Sequence, residues 1–454
     1  MWLLVLMLAA PVLGQQVLRL AVGLFDQYLA GNHTPDDGRS HEAYQAAQTT
    51  ANYLAWFIAS STALVSTGAT ALVARFVGAG NSASANRVVD QSMFLAVVFG
   101  VALTAICTLV LPGTVNLLGM KPDAAGIAID FLLPICLLLT FQVIESAGIA
   151  CLVGAGDTRT GLWVLGIVTL SNMPLALLFY YLLGFTGIAV GTALSHVIGT
   201  VLVLRILARG RAGLKLTKGC LRPDRPMLVR LLRVSIPASI DTLSIGICQL
   251  WFLGLINELG NVATAAHGIA LRWEALGYLS GQAFATAAAA MVGQNLGAGD
   301  PERAARSGWL SFALGGSIMT FMGAVFFLLA RPMFELFCPA PEQQPIVEMG
   351  VPVLRLVAFA MPFLSSIIIL TGALRGAGDT SLPMLITWVG FLGIRIPLAY
   401  ILIFDEFGLV PKGYLPEGAA GLFGAWLAMF ADILVRGACF LLRFGTGGWK
   451  RISV

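Results

Sequence analysis

Four carboxylates, Asp26, Glu145, Asp241 and Glu274, sit in stretches that otherwise carry almost no charge. An ionised side chain at the centre of a membrane costs about 2.5–3.5 kcal/mol on insertion scales, so an acid there is a functional candidate by default. The chemistry open to it is cation exchange, whether of a proton, a metal ion or a positively charged organic molecule. Asp26 stands out. It follows Pro11 by fifteen residues in "PVLGQQVLRLAVGLFDQYLAG", and Arg19 precedes it by seven, two turns away on one helix face. Pro11 removes a backbone hydrogen bond and bends such a helix, and Pro237, four residues before Asp241, does the same. Two readings of Asp26 stand together: a cation-exchanging group, or half of a structural Arg19–Asp26 pair.

Glu145 in "TFQVIESAGIACL" and Glu274 in "ALRWEALGYL" either meet a cationic substrate or pair with Arg272, Arg355 or Arg395. Asp90, Asp130, Glu258 and Asp432 read as interfacial or capping groups nearer helix ends. His196 and His267, also placed near helix ends, read as structural. Asn172, beside Pro174, reads as a helix-to-helix hydrogen-bonding group. Trp251, Trp273, Tyr278, Met361 and Phe363 are candidates for the apolar, aromatic wall that a polyspecific site uses.

The elements that must position these residues follow from composition. Hydrophobic residues make up 58% of the 454-residue chain and charged ones 11%, too few to cover a soluble protein of this size. Apolar windows of membrane-spanning length recur twelve times, at 2–30, 50–74, 91–112, 126–152, 160–183, 185–207, 228–257, 262–290, 308–330, 346–372, 383–404 and 418–442. The chain is an all-α polytopic membrane protein, since the segments are too long and too uniformly apolar for barrel strands. "MWLLVLMLAAPVLGQQ" resembles a signal peptide, but it lacks a basic start and apolar sequence resumes at once, which favours a first membrane helix.

Nine of the 27 Lys and Arg residues fall between Arg205 and Arg233, in the link between segments six and seven. The positive-inside rule then puts both termini in the cytoplasm, in a cell (inner) membrane. A net charge of +4 arises from this asymmetry and gives no reason to expect nucleic acid. Seven cysteines without a CxxC or Cys/His cluster indicate neither disulfides nor a metal site. No HExxH, GxSxG or Walker motif is visible, which argues against an intramembrane enzyme or direct use of ATP; no cofactor is expected.

"GAGDT" occurs at Gly154–Thr158 and again at Gly376–Thr380, 222 residues on. "ALVARFVGAGNSASANR" likewise resembles "AMVGQNLGAGDPERAAR", and "SNMPLAL" resembles "IRIPLAY", at offsets of 219 and 223 residues. The expected organisation is a six-helix lobe over 1–207, a basic linker over 208–227, a second six-helix lobe over 228–442 and a tail over 443–454. Six being even, the repeats are parallel, around a central cleft that rocks open to one side at a time. The glycines supply tight turns, and the Asp or Thr caps the next helix; "VGAGN" and "LGAGD" do the same.

"AAHGIALRWEALGYLSGQAFATAAAAMVGQNLGAGDPERAAR", with "TGALRGAGDTSLPM", "IRIPLAY", "STGATALVARFVGAG" and "VGLFDQYLAG", resembles the multidrug and toxic compound extrusion (MATE) family along nearly the whole chain. That resemblance implies a secondary efflux antiporter for amphipathic, often cationic, organic compounds, working by rocker-switch exchange. In its DinF-like branch an acid in segment one, here Asp26, is implicated in cation coupling. An Asn in segment five, here Asn172, is accompanied there by an Asp one turn later; Ala176 stands in that place. The NorM-like branch relies on acids in segments seven and ten, and segment ten here has none. The resemblance therefore leans towards the DinF-like branch and favours H⁺ over Na⁺, because a hard cation wants several oxygens at once. Arg19, Glu145, Asp241, Glu274, Trp273, Tyr278 and Phe363 are the candidates for the cleft, in a protein expected to work as a monomer. The alternative is a lipid-linked precursor flippase of the wider superfamily. The acidic stretch over 31–50, with the sequon pattern Asn32-His33-Thr34, reads as an extracytoplasmic surface insertion or a lid.

Overall fold

The computed structural model describes residues 1–31, 41–117, 122–404 and 419–452. The sequon, the core of the acidic insertion and the loop "DEFGLVPKGYLPEG" lie outside them. The described residues are helical almost throughout. The helices are α1 (Trp2–Gly31), α2 (His41–Ser60), α3 (Ala63–Gly78), α4 (Ser82–Leu117), α5 (Pro122–Leu137), α6 (Leu139–Gly154), α7 (Thr158–Leu183) and α8 (Phe185–Arg209). After the linker come α9 (Arg225–Glu258), α10 (Asn261–Gly297), α11 (Pro301–Glu335), α12 (Gln344–Ala377), α13 (Ser381–Trp388), α14 (Ile396–Phe404) and α15 (Ala420–Thr446). The only extended pairing among the described residues is a bridge between Arg211 and Leu214 in the linker.

Eleven helices or helix runs are long and apolar enough to span a membrane, and α5 with α6, bent by 50° at Leu138, makes a twelfth. Segment two is interrupted at Ser61 and Thr62, and segment eleven is α13 and α14 joined by a π-helical turn over Val389–Arg395. Both α1 and α9 run unbroken through Pro11 and Pro237. Large apolar side chains point outward, Leu109 at 81% exposure and Leu328 at 75%. In water such a surface would be an interaction patch; on helices of this length it is the face that meets lipid.

The chain resolves into two compact units. One is built mainly of residues 6–239 and the other mainly of 240–292 and 300–453. In the first, Leu29, Tyr44, Leu111, Phe131, Leu132 and Ile188 form a buried apolar cluster beside the polar groups described next.

The polar breaks between helices are caps. Asn81 Oδ1 accepts the Ser84 N–H at 2.9 Å, Asp157 Oδ1 that of Thr160 at 3.0 Å and Asp300 Oδ1 that of Arg303 at 2.8 Å. Gly156 and Gly378 hold φ of +87° and +88°, the left-handed angles that glycine adopts at least cost. Asp379 departs from the expectation. Its carboxylate binds the Arg443 guanidinium at 2.6 Å, and Thr380 at the start of α13 makes no side-chain cap.

Candidate functional site

The α7–α8 hairpin turns at Gly184, and Gly191 lets α8 lie against the α7 backbone at Ala176. A Cβ at Gly191 would collide there, so the residue type itself sets the separation of the two helices. Across that contact the Asn172 amide Nδ2 donates to Thr192 Oγ1 at 2.9 Å. The Thr192 hydroxyl in turn reaches Asp26 Oδ2, on α1, at 2.9 Å, with its own helix carbonyl at Ile188 an alternative acceptor at 3.1 Å. Thus the two residues that resemblance singled out meet through a threonine. Asp26 Oδ1 and Asn172 Oδ1 are buried and have no hydrogen-bond partner. Among the described residues no set of three or more His, Cys, Asp or Glu side chains converges as a metal site.

A second pair lies nearby. Glu145 Oε2 on α6 meets His196 Nδ1 on α8 at 2.8 Å, and Glu145 is 2% exposed. Gly199 makes the room, since a Cβ there would stand 2.7 Å from the Glu145 carboxyl carbon. No ion pair joins Arg19 to Asp26 among the described residues; the carboxylate is held from α8, not along α1. His196 is correspondingly mid-helix, and Glu145 pairs with it and not with an arginine. Arg272 and Arg355 instead lie over the rings of Phe337 and Phe327, at 5.9 and 5.7 Å.

The second unit uses its charges differently. Asp241 binds Arg375 at 2.8 Å. Asp432, expected near a helix end, lies mid-way along α15 with 0% exposure and is clamped by two guanidiniums. Arg395 donates to Oδ2 at 2.9 Å, and Arg436 donates to Oδ1 and Oδ2, both at 2.6 Å. Both guanidiniums also face the Phe391 ring, at 4.8 and 4.5 Å. Glu274 is half-buried in a narrow pocket with Val357, Trp426 and Met429. The aromatic candidates scatter: Trp273 packs edge-on to Phe337, Trp251 on Tyr400, Tyr278 is exposed and accepts from Gln282, and Phe363 packs under Gly437. Met361 is fully buried, a core residue and no part of a wall. His267 is buried against Trp426.

Thr192, His196 and Arg375 carry no local sequence signal of a role. Asp432 and Arg436 did carry one, the i,i+4 spacing of an acid and a base on one helix.

The MatE family model matches residues 11–178 and 237–401, once in each half. A probable multidrug resistance protein NorM of Thermotoga maritima is 29% identical, over 98% of this chain and 93% of its own length. Multidrug resistance protein PmpM of Pseudomonas aeruginosa is 26% identical, over 92% of this chain and 88% of its own. Among solved structures, a crystal structure of MATE in complex with MaL6 superposes with a TM-score of 0.86 at 20% identity, covering 98% of this chain and 96% of that one. A MOP superfamily transporter from Pyrococcus furiosus gives 0.87 at 20% identity, over 98% and 95%. With a family model matching in both repeats, a like-sized relative along nearly all its length and that fold, the chain belongs to the MATE family of membrane transporters and is not an enzyme.

Proposed function

We propose that this transporter is a cation-coupled efflux antiporter for amphipathic organic cations, with Asp26 as the coupling carboxylate. The observation that carries the reading is the Asp26–Thr192–Asn172 chain, buried among apolar helices with one oxygen at each end unpartnered. A threonine hydroxyl has one hydrogen and two acceptor sites. With Asp26 charged, that hydrogen goes to the carboxylate. With Asp26 protonated, the acid donates to Thr192 Oγ1, which still accepts from Asn172 and turns its own hydrogen to the Ile188 carbonyl. Asp26 Oδ2, the Thr192 hydroxyl and Asn172 Nδ2 therefore keep a partner in both protonation states, as a proton-exchange site requires. Cargo binds while Asp26 is charged and leaves when a proton replaces it, as the two lobes rock between inward- and outward-open forms.

The proton is favoured over Na⁺ because Ala176 stands where a second carboxylate would complete an oxygen cage. The lack of an acid in segment ten leans towards the DinF-like branch, from which Ala176 is a departure. Drug-like cargo follows from the names of the relatives, all multidrug resistance proteins. The positive-inside rule favours both termini in the cytoplasm, and the reading takes the chain to lie in the inner membrane and to act as a monomer.

The test is transport of a fluorescent organic cation into proteoliposomes, driven separately by a proton gradient and a Na⁺ gradient, with Asp26→Asn beside the parent. Uptake driven by the proton gradient alone and abolished in Asp26→Asn is expected. Na⁺-driven uptake, or an unaffected variant, overturns the assignment.

A further inference from the structure

The linker is not a free tether. Asp90, on α4, accepts the Thr217 N–H at 2.8 Å and the Thr217 hydroxyl at 2.5 Å. Gln91 Nε2 donates to the Arg222 carbonyl at 2.9 Å, and its Oε1 accepts the Asp224 N–H at 2.8 Å. Asp224 Oδ1 accepts the Met227 N–H at 3.3 Å, at the start of α9. These bonds border an open cavity of about 460 Å³ lined by Arg87, Asp90, Gln91, Arg222, Asp224 and Arg225, with prolines and Gly219 completing the wall.

The distribution of partners decides what such a cavity takes. Asp90 and the Gln91 amide hold the linker, and Asp224 caps the start of α9 through Oδ1. The cavity's three arginines, from α4, the linker and the first position of α9, form no ion pair among the described residues. Three forked donors around an open cavity, none of them paired with Asp90 or Asp224, match the oxygens of a phosphate. Below the cavity along α9, Val229 and Ile236 are exposed apolar side chains, 48% and 44% accessible, the surface on which acyl chains would lie.

We propose that Arg87, Arg222 and Arg225 form a phosphate-binding site on the linker side of the membrane, taking the headgroup of an anionic phospholipid. The site is separate from the Asp26 cluster, so its test does not depend on the transport reading.

Native mass spectrometry of the full-length protein in detergent would compare its affinity for phosphatidylglycerol with that for phosphatidylcholine of the same chains, and for inorganic phosphate alone. The parent should prefer phosphatidylglycerol. Each arginine near a membrane surface contributes about fivefold in affinity, so R87Q/R222Q/R225Q should weaken binding by about 100-fold. The R87K/R222K/R225K variant, which keeps the charge and topology signal, should hold part of the preference, and Arg209→Gln, outside the cavity, all of it. A parent that binds inorganic phosphate, with binding lost in the Gln variant but no preference among lipids, would assign the site to a soluble phosphate. An equal response of parent and Gln variant, or no preference for either probe in the parent, overturns the proposal.

Discussion

Thr192 holds its place by its hydroxyl alone. Valine has the same shape without that group, so Thr192→Val leaves Asn172 Nδ2 and Asp26 Oδ2 each without their shared partner. An unmade hydrogen bond to a buried charged group costs about 1.5–3 kcal/mol. Thr192→Val should therefore cut proton-driven transport roughly tenfold or more, while Thr192→Ser restores it in the same proteoliposome assay. A Val variant with parental rates would remove threonine from the mechanism. Asp26 was legible because an isolated carboxylate in an apolar window is conspicuous. Thr192 was not, since a threonine in a membrane helix usually bonds its own preceding turn, and this one has that carbonyl within reach too. Only the hairpin geometry of α7 and α8 brings it opposite Asn172.

At the scale of elements, the two repeats build corresponding pairs of helices to different ends. Asn172 in "SNMPLAL" and Arg395 in "IRIPLAY" occupy equivalent positions of the repeat. In the first lobe the neutral amide leads to a carboxylate with an unpartnered oxygen. In the second, the guanidinium closes on Asp432 together with Arg436, and each carboxylate oxygen has at least one donor. The π turn over Val389–Arg395 adds a residue to the winding immediately before the arginine, which alters the face it presents. Hydropathy reads the twelve spans well, because length and apolar character are additive along the chain. It cannot read a π turn or the break at Leu138, which depend on neighbours. Removing one partner of a buried ion network leaves uncompensated charge, at a cost of about 3–5 kcal/mol. Asp432→Asn should lower the thermal unfolding temperature of the purified protein markedly, with any activity loss tracking the loss of folded protein. A stable but inactive variant would instead place the triad in transport.

For the whole molecule, the doubled "GAGDT" ties the last helix of each half to an earlier one. Asp157 binds Arg211, just past α8, at 2.7 Å, and Asp379 binds Arg443, near the end of α15, at 2.6 Å. Burial pushes the Asp157 carboxyl up, but hydrogen bonds from the Thr160 hydroxyl, Arg211 and the Thr160 backbone, with the Arg211 charge, hold it below the usual carboxylate value. A depressed folded value means its contribution is present above about pH 4 and is lost as the pH falls through the lower, folded value. Losing a cap costs about 0.5–2 kcal/mol, so Asp157→Ala should destabilise by about that amount and flatten the acid limb of a pH–stability curve. Each clasp lies within its own unit, so Asp157→Ala and Asp379→Ala should add to within about 0.5 kcal/mol when stability is measured by denaturant titration. A larger interaction energy would mean the halves unfold as one. The repeat itself was plain in the sequence; that its aspartates reach across to arginines was not, because turn chemistry alone accounts for a Gly-Asp-Thr break.

The duplicated clasp also bears on how variation in this chain would be read. Both copies kept the fastening at the helix ends, while the polar groups at matching places within the membrane went separate ways. A saturation scan of the two halves would then draw two different maps. Around Asn172 and Thr192 the sensitive positions would mark lost activity in a protein that still accumulates. Around Arg395 and Asp432 they would mark protein that never accumulates at all.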